Sequence, residues 1–390
     1  IEKREPIVSD RSDNHLWMVY TVYQIICEEG KTDVLNDEVE YYDGGKGTVF
    51  EHLEKSIDYT LAHIGKDGIP LMLGSDWNDM LSNVCKKGKG ESVFVSQMLV
   101  LACRNMKEIC EITGRDYSKY DKVIEEQTKI LNDEFWDKDR YVRAVTDEGM
   151  KLGKNGDKCA EIWINSQSWA VMSGISGKEK GKIAMKTAVD KLDCGYGLLK
   201  LAPPLQRNYP SKENELTFAQ PGIGENGGVF CHANAWAIIA ECMLGETEEA
   251  YRIYKELIPD EIVGKFGVEL YNAEPYVYAS NIRGPQALSA GQAGVSWLSG
   301  TAAWMVVACM QYIFGVKPRY NGLEISPCIP NEWKEITVRR KFRGTNYVIK
   351  IDNKAGKGGS VKNIIVKNGK IENGLVVSDA PTAEVLVTMG

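Results

Sequence analysis

Histidine is scarce in this chain: there are four, at positions 15, 52, 63 and 232, and no two share metal-ligand spacing. A histidine-based metal site is therefore not expected. Ten cysteines occur, at 27, 85, 103, 110, 159, 194, 231, 242, 309 and 328, but no C-x-x-C. That pattern reads as reduced, mostly buried thiols of a cytoplasmic protein rather than a zinc or disulfide framework. No G-x-S-x-G, P-loop or dinucleotide fingerprint is present, so a serine hydrolase elbow and the common nucleotide folds are set aside. Positive charge is not in excess: 47 Lys and Arg face 54 Asp and Glu, a formal charge of −7. A nucleic-acid partner, which calls for a basic stripe, is not expected. No apolar run reaches the roughly 18 residues of a membrane span, and no export signal opens the chain, so no membrane partner is expected.

Two textures are present. Up to about residue 315 the chain reads as helices: 13–30, 48–65, 92–114, 120–136, 164–175, 180–192, 233–245, 246–259 and 300–315. Asp13 or Asn14 is the expected N-cap of the first and Gly30 its stop. Segments 92–103, 235–243 and 302–314 are apolar nearly all round, whereas 120–133, 180–192 and 246–257 carry charge on one face. Alternation of buried and half-exposed helices implies two concentric layers, an α/α barrel over a solenoid of pairs. After Gly315 come short alternating Val/Ile/Tyr runs between Gly, Asn and Lys turns, a small β domain with a hairpin expected at KNGK, 367–370. The expected division is 1–315, helical, and 316–390, β.

Carboxylates, tryptophans and Gly-rich helix starts are what remains for chemistry, and that set suits carbohydrate. In GSDWNDML, 74–81, Asp76 and Asp79 bracket Trp77 and Asn78. Asp76 capping a helix with Asp79 closing a capping box is one reading; a proton-donating carboxyl beside an indole platform is the other. In GIGENGGVFCHANAW, 222–236, His232 falls at a helix start, where free N–H groups and the dipole favour an anion; a core histidine satisfied by backbone is the alternative. In WLSGTAAWM, 297–305, Ser299-Gly300-Thr301 opens the last apolar helix, as a plain N-cap or a small anion nest, with Trp297 and Trp304 read as core. Asn165 and Gln167 either face a sugar or cap neighbouring helices.

The ordered motifs GSDWNDM, GKGES, WINSQSWAVMSG, GENGGVFCHANAW, WLSGTAAWM and GLEISPCIPNEW resemble the inverting β-glycoside phosphorylases related to cellobiose and chitobiose phosphorylase, glycoside hydrolase family ninety-four, over essentially the whole chain. The resemblance implies a mainly α fold, an (α/α)6 barrel followed by a small C-terminal β-sandwich. It implies inverting phosphorolysis of a β-linked gluco-disaccharide or oligosaccharide to an α-sugar 1-phosphate, with inorganic phosphate as co-substrate and no cofactor or metal. Carried over by motif, Asp79 is the general acid and Trp77 belongs to the sugar site. His232, Ser299, Gly300 and Thr301 contact phosphate, Glu215 and Glu225 lie near the acceptor sugar, and Asp76 is structural. Gln167 joins the substrate-binding set as the sugar-facing reading of its segment.

Departures from the family pattern bear on the substrate. FAQPGIG, 218–224, puts Ala219 where an acceptor-side Tyr is usual, which counts against cellobiose, and SDNHLW replaces the frequent Ser-Asp-Asp. The family's upstream Arg-Asp motif, an upstream phosphate-binding Arg and the large N-terminal β-sandwich have no counterpart. The chain resembles the C-terminal part of the usual architecture, so the barrel is expected to lack its first helices. A second polypeptide, the absent part of a longer precursor, or a second copy of the chain is then expected to cover it. An inverting hydrolase on the same barrel, and an inactive carbohydrate-binding or subunit-like fragment, are the competing expectations.

Overall fold

A computed structural model of the protein describes residues 9–213, 215–217, 219–297 and 299–390. The charged start IEKREP, Phe218 of FAQPGIG and Leu298 of WLSGTAAWM lie outside the described residues.

Local chemistry sets most helix ends. Helix α1 (Leu16–Glu29) stops at Gly30, whose φ of 68° is left-handed. Its start differs from expectation: neither Asp13 nor Asn14 caps it, and His15 holds the cap position without a side-chain bond. Asp13 is buried instead and accepts from Trp17 Nε1 at 2.9 Å. Helix α2 (Val49–Leu61) begins with a reciprocal capping box between Thr48 and Glu51. Helix α3 (Val93–Thr113) is capped by Ser92, whose Oγ accepts from Val95 N at 3.1 Å. Helices α4 (Ser118–Glu134), α5 (Ile164–Met172), α6 (Gly177–Leu192), α7 (Cys231–Leu244) and α8 (Thr247–Glu256) fall where the periodicity puts them. Two short helices not read from the sequence follow, α9 (Pro259–Phe266) and α10 (Val268–Tyr271). The last helix, expected as one straight segment, is α11 (Thr301–Val307) running into a π-helical turn, Ala308–Ile313.

The helices form two layers. Helices α1, α3, α5, α7 and α11 pack each against the next, and α2, α4, α6 and α8 each pack outside the helix that precedes them. Every residue of α5 is buried, whereas α8 buries only Thr247, Ala250 and Ile253, a single stripe. The five inner helices converge on one aromatic cluster. Trp17 of α1 lies 5.6 Å from Trp169 of α5, 6.0 Å from Trp236 of α7 and 6.1 Å from Trp304 of α11, ring centre to ring centre. Phe94 of α3 completes it, 5.2 Å from Trp169. Edge-to-face pairs of this kind add about 0.5–1.5 kcal/mol each beyond the burial of their surface.

Helix gives way to strand between Ile313 and Val316. One four-stranded sheet orders Val316–Arg319, Gly322–Ile325, Leu375–Val377 and Lys370–Glu372. The other orders Glu335–Phe342, Thr345–Asp352, Thr382–Met389 and Val361–Lys367. The hairpin expected at KNGK is not one: Val361–Lys367 and Lys370–Glu372 belong to different sheets, and the turn carries the chain from one to the other. Two tight hairpins, at Arg343-Gly344 (φ 47° and 90°) and Asn373-Gly374 (φ 49° and 80°), are left-handed at both residues, the twist that suits a two-residue turn between twisted strands, whereas a third, at Tyr320-Asn321, is not left-handed. Arg343 also joins the two parts of the chain. Its guanidinium donates to the carbonyls of Cys27 (2.6 Å) and Glu28 (3.2 Å) at the end of α1, and to those of Arg319 and Tyr320.

Glu241 of α7 is 3% exposed and faces Glu246 and Glu249. Burial first, then these two carboxylates, push its pKa up to about 8 from 4.5. The folded protein therefore keeps a proton on Glu241 that the unfolded chain gives up, and stability falls as pH rises from about 4.5 to about 8, by about 1.4 kcal/mol per unit at most. Glu241→Gln removes this dependence. Melting temperatures of variant and wild type should nearly coincide at pH 4.5, and the variant should melt higher at pH 8; parallel curves across that range would show that Glu241 ionises freely.

Candidate functional site

The inner helices present their starts to one region of the molecule, and the 74–81 segment runs among them. Its side chains alternate: Asp76 is buried, Trp77 half-buried, Asn78 buried and Asp79 exposed. Asp76 meets Arg143, and both are fully buried. Arg143 donates to both Asp76 oxygens at 2.7 Å and to Asn78 Oδ1 at 2.8 Å. Asp76 also accepts from Ser92 Oγ at 2.7 Å and from Asn78 N at 2.8 Å. The capping-box reading fails, since Asp76 caps no helix and Asp79 opens a single 3-10 turn, Asp79–Leu81. The Asp79 side chain is 80% exposed and pairs with Arg11 at 2.9 Å.

Glu225 braces this turn. It accepts from Met80 N at 2.8 Å and lies 3.5 Å from Asn78 Nδ2. Burial raises its pKa, and Lys200 opposes the rise. The carboxylate expected near an acceptor sugar is thus occupied with the backbone next to Asp79.

Trp77 meets Phe230 edge-on at 5.3 Å and His232 edge-on at 4.9 Å, and lies 4.5 Å from Trp236. The ammonium of Lys200 sits 4.0 Å over the Trp77 ring and 4.8 Å from that of Phe230. His232 occupies the first turn of α7. Burial, with Lys200 adding repulsion, pushes its pKa down to about 3, so the imidazole is neutral at neutral pH. Its Nε2 has no hydrogen-bond partner among the described residues. Gly300 packs directly on this ring: a Cβ there would stand 2.7 Å from His232 Cε1 and 2.8 Å from Nδ1. Ser299 and Thr301 share a hydroxyl hydrogen bond, and Thr301 N donates to Ser299 Oγ at 3.0 Å. Thr301 is buried, its hydroxyl also within reach of the Ala279 carbonyl at 3.3 Å.

The structure therefore brings together Trp77, Asp79, Glu225, His232, Ser299, Gly300 and Thr301. Gln167 stands apart. It is fully buried, and its amide is spent on Tyr141 N and O (2.8 and 2.9 Å) and Trp163 O (3.0 Å), which corrects the expectation that it faces a sugar. Glu215 closes a loop, accepting from Asn208 N through its carboxylate and from Asn83 Nδ2 through its carbonyl. Trp297, read as core, is 73% exposed, with Nε1 donating to Glu274 at 2.7 Å. Arg11, Arg143 and Lys200 were not read as site residues. The last two had a signal, a lone cation inside the apolar runs YVRAV and LLKLA.

Chemically, an exposed carboxyl on a fixed turn can deliver a proton. A neutral imidazole at a helix start beside a glycine turn can hold an anion. Among the described residues no cluster of three His, Cys, Asp or Glu suited to a metal ion occurs.

The chain has relatives among known proteins. The chain is 34% identical over 363 residues to solabiose phosphorylase of Paenibacillus borealis, covering 92% of this chain and 47% of that protein. It is 31% identical over 371 residues to N,N'-diacetylchitobiose phosphorylase of Vibrio proteolyticus, covering 93% and 45%. It is 29% identical to cyclic beta-(1,2)-glucan synthase NdvB of Rhizobium meliloti (strain 1021), covering 92% and 14%. The chain spans a little under half the length of the first two. The profile of the glycosyl hydrolase 94 superfamily catalytic domain matches residues 1–315, and the chain belongs to that family.

Proposed function

We propose that the chain carries the acid and phosphate side of an inverting glycoside phosphorylase acting on a β-linked gluco-disaccharide or oligosaccharide. Asp79 protonates the glycosidic oxygen while inorganic phosphate, held by His232 and the 299–301 turn, attacks the anomeric carbon from the opposite face. The products are an α-sugar 1-phosphate and the freed acceptor. The observation that carries this reading is the contact series Trp77, His232, Gly300 beside an exposed Asp79. An inverting hydrolase needs a second carboxylate to activate water. The nearby candidates, Asp76 and Glu225, are engaged with Arg143 and with Met80 N, which favours phosphate as the nucleophile. The relatives that are named phosphorylases support the same class.

The finer architecture belongs to this proposal: an (α/α)6 barrel over 1–315, a β-sandwich over 316–390, and a cytoplasmic setting for ten free cysteines. Five inner helices are described where six close such a barrel. Helix α11 leaves Val306 61% exposed, with Ala302 and Ala303 also exposed, and α1 leaves Ile25 40% exposed. Bare apolar flanks of this kind mark covered surfaces. The cover is a second polypeptide, an upstream part of a longer protein, or another copy of the chain. Solution mass with activity tests it: a stable, fully active monomer of these 390 residues at low concentration would overturn this part of the proposal.

Asp79→Asn should cut phosphorolysis of unactivated disaccharides by about 10²–10⁴-fold and leave the melting temperature unchanged, because the side chain faces solvent. Asp76→Asn should instead destabilise the fold, by about 3–5 kcal/mol, since it leaves Arg143 buried without its counter-charge. Sugar 1-phosphate release and denaturant unfolding measure the two effects; an active, stable Asp79→Asn variant would mean the wrong carboxylate has been assigned.

His232→Ala should raise the KM for phosphate more than that for the sugar. Gly300→Ala should do the same, because its methyl group displaces the imidazole. Equal changes in both constants would return His232 to a packing role.

A further inference from the structure

Lys200 is fully buried, yet its Nζ has no hydrogen-bond partner among the described residues. Its backbone is fixed: Lys200 N donates to Gly228 O at 2.8 Å, and its carbonyl accepts from Ile164 N at 3.1 Å. An uncompensated ammonium at such a depth is costly, so what surrounds it must offset that cost. Five groups bear on it. Trp77 and Phe230 offer ring faces, Glu225 and Asp76 attract it, and Arg143 repels it. Asp76 is already matched by Arg143. Glu225 is not matched, since its hydrogen bonds come from uncharged donors, Met80 N and Asn78 Nδ2. Burial pushes the Lys200 pKa down to about 7, and the attraction of Glu225 opposes that fall.

Both attachments of Lys200 converge on Asp79. The ring it lies over belongs to Trp77, two residues before. The carboxylate it attracts holds the N–H of Met80, one residue after. We propose that Lys200 is a positioning residue for Asp79, fixing the turn from both sides through Trp77 and Glu225. This rests on the reading of Asp79 as the acid. Without the ammonium, the attraction that opposes the burial-raised pKa of Glu225 is lost, and the carboxylate's hold on Met80 N–H weakens. The turn then loosens while Asp79 keeps its chemistry and loses its aim. Misplacement of a reacting group by about 1 Å costs about 10²-fold in rate.

The test is steady-state phosphorolysis by Lys200→Met, which keeps length and apolar packing but not charge, alone and combined with Asp79→Asn. Expected is a fall in kcat of about 10–10² on an unactivated disaccharide, with the phosphate KM unchanged. With an activated donor, such as a dinitrophenyl glycoside whose leaving group needs no proton, the loss should vanish. The double variant should be no slower than Asp79→Asn alone, because the two act as a unit. If Lys200→Met fails to fold, Glu225→Gln removes the opposite charge and should show the same selective loss. Losses that add in the double variant, that persist on the activated donor, or that appear in the phosphate KM would overturn the proposal. An Asp79→Asn variant with full activity would overturn the acid assignment itself, a result separable from wild-type rates in Lys200→Met.

Discussion

The buried ion pair between Asp76 and Arg143 is the contact on which the rest of the site depends. Isolated, such a pair gives little net stability, because removing both charges from water offsets most of their attraction. Its value here is geometric. Arg143 spans Asp76 and Asn78, and Ser92, the cap of α3, donates to the same carboxylate. The chain bends at Trp77 and enters a 3-10 turn at Asp79. With residues 76 and 78 pinned inward, Trp77 stays half-buried and Asp79 reaches solvent. The two aspartates of one short motif thereby meet different surroundings, one buried on Arg143 and one exposed beside Arg11.

The surroundings of Trp77 complete the electrostatics. One ring face is taken by an ammonium and one edge by a neutral imidazole. His232 is kept uncharged by burial, so its N–H can serve an anion without adding a positive charge next to Lys200. The aromatic cluster below, with one ring from each inner helix, holds the helix starts that carry these groups at fixed separations.

Helices were legible where local chemistry decides them. Thr48 with Glu51, Ser92, Gly30, Gly114 and Gly245 act on backbone groups a few residues away, and they mark ends where the periodicity stops. The D-W-N-D, His232 and 299–301 motifs were legible as a set because of a family likeness, and their convergence followed. What the sequence concealed is long-range. Arg143 meets a carboxylate 67 positions away, and Lys200 reaches a ring more than a hundred positions earlier. Gln167 was ambiguous for the same reason, since only the packed position of Tyr141 decides what its amide binds. The KNGK turn misled because a Gly-containing turn between two strands looks the same whether the chain returns to its own sheet or crosses to another. Asp13 misled because the half-buried Trp17 indole N–H takes its carboxylate instead of a helix cap.

Arg343 ties a hairpin of the β region to the last carbonyls of α1. That helix, 14 residues or about 21 Å long, is preceded at its other end by Arg11, the ion partner of Asp79. A helix clamped at one end behaves as a rod: a small tilt at the clamp becomes a larger displacement at the tip. The β region thereby acts as a bearing for the end of α1 that leads to Arg11 and Asp79. Sequence drift in its hairpins would be felt as a change in the alignment of Arg11 and Asp79.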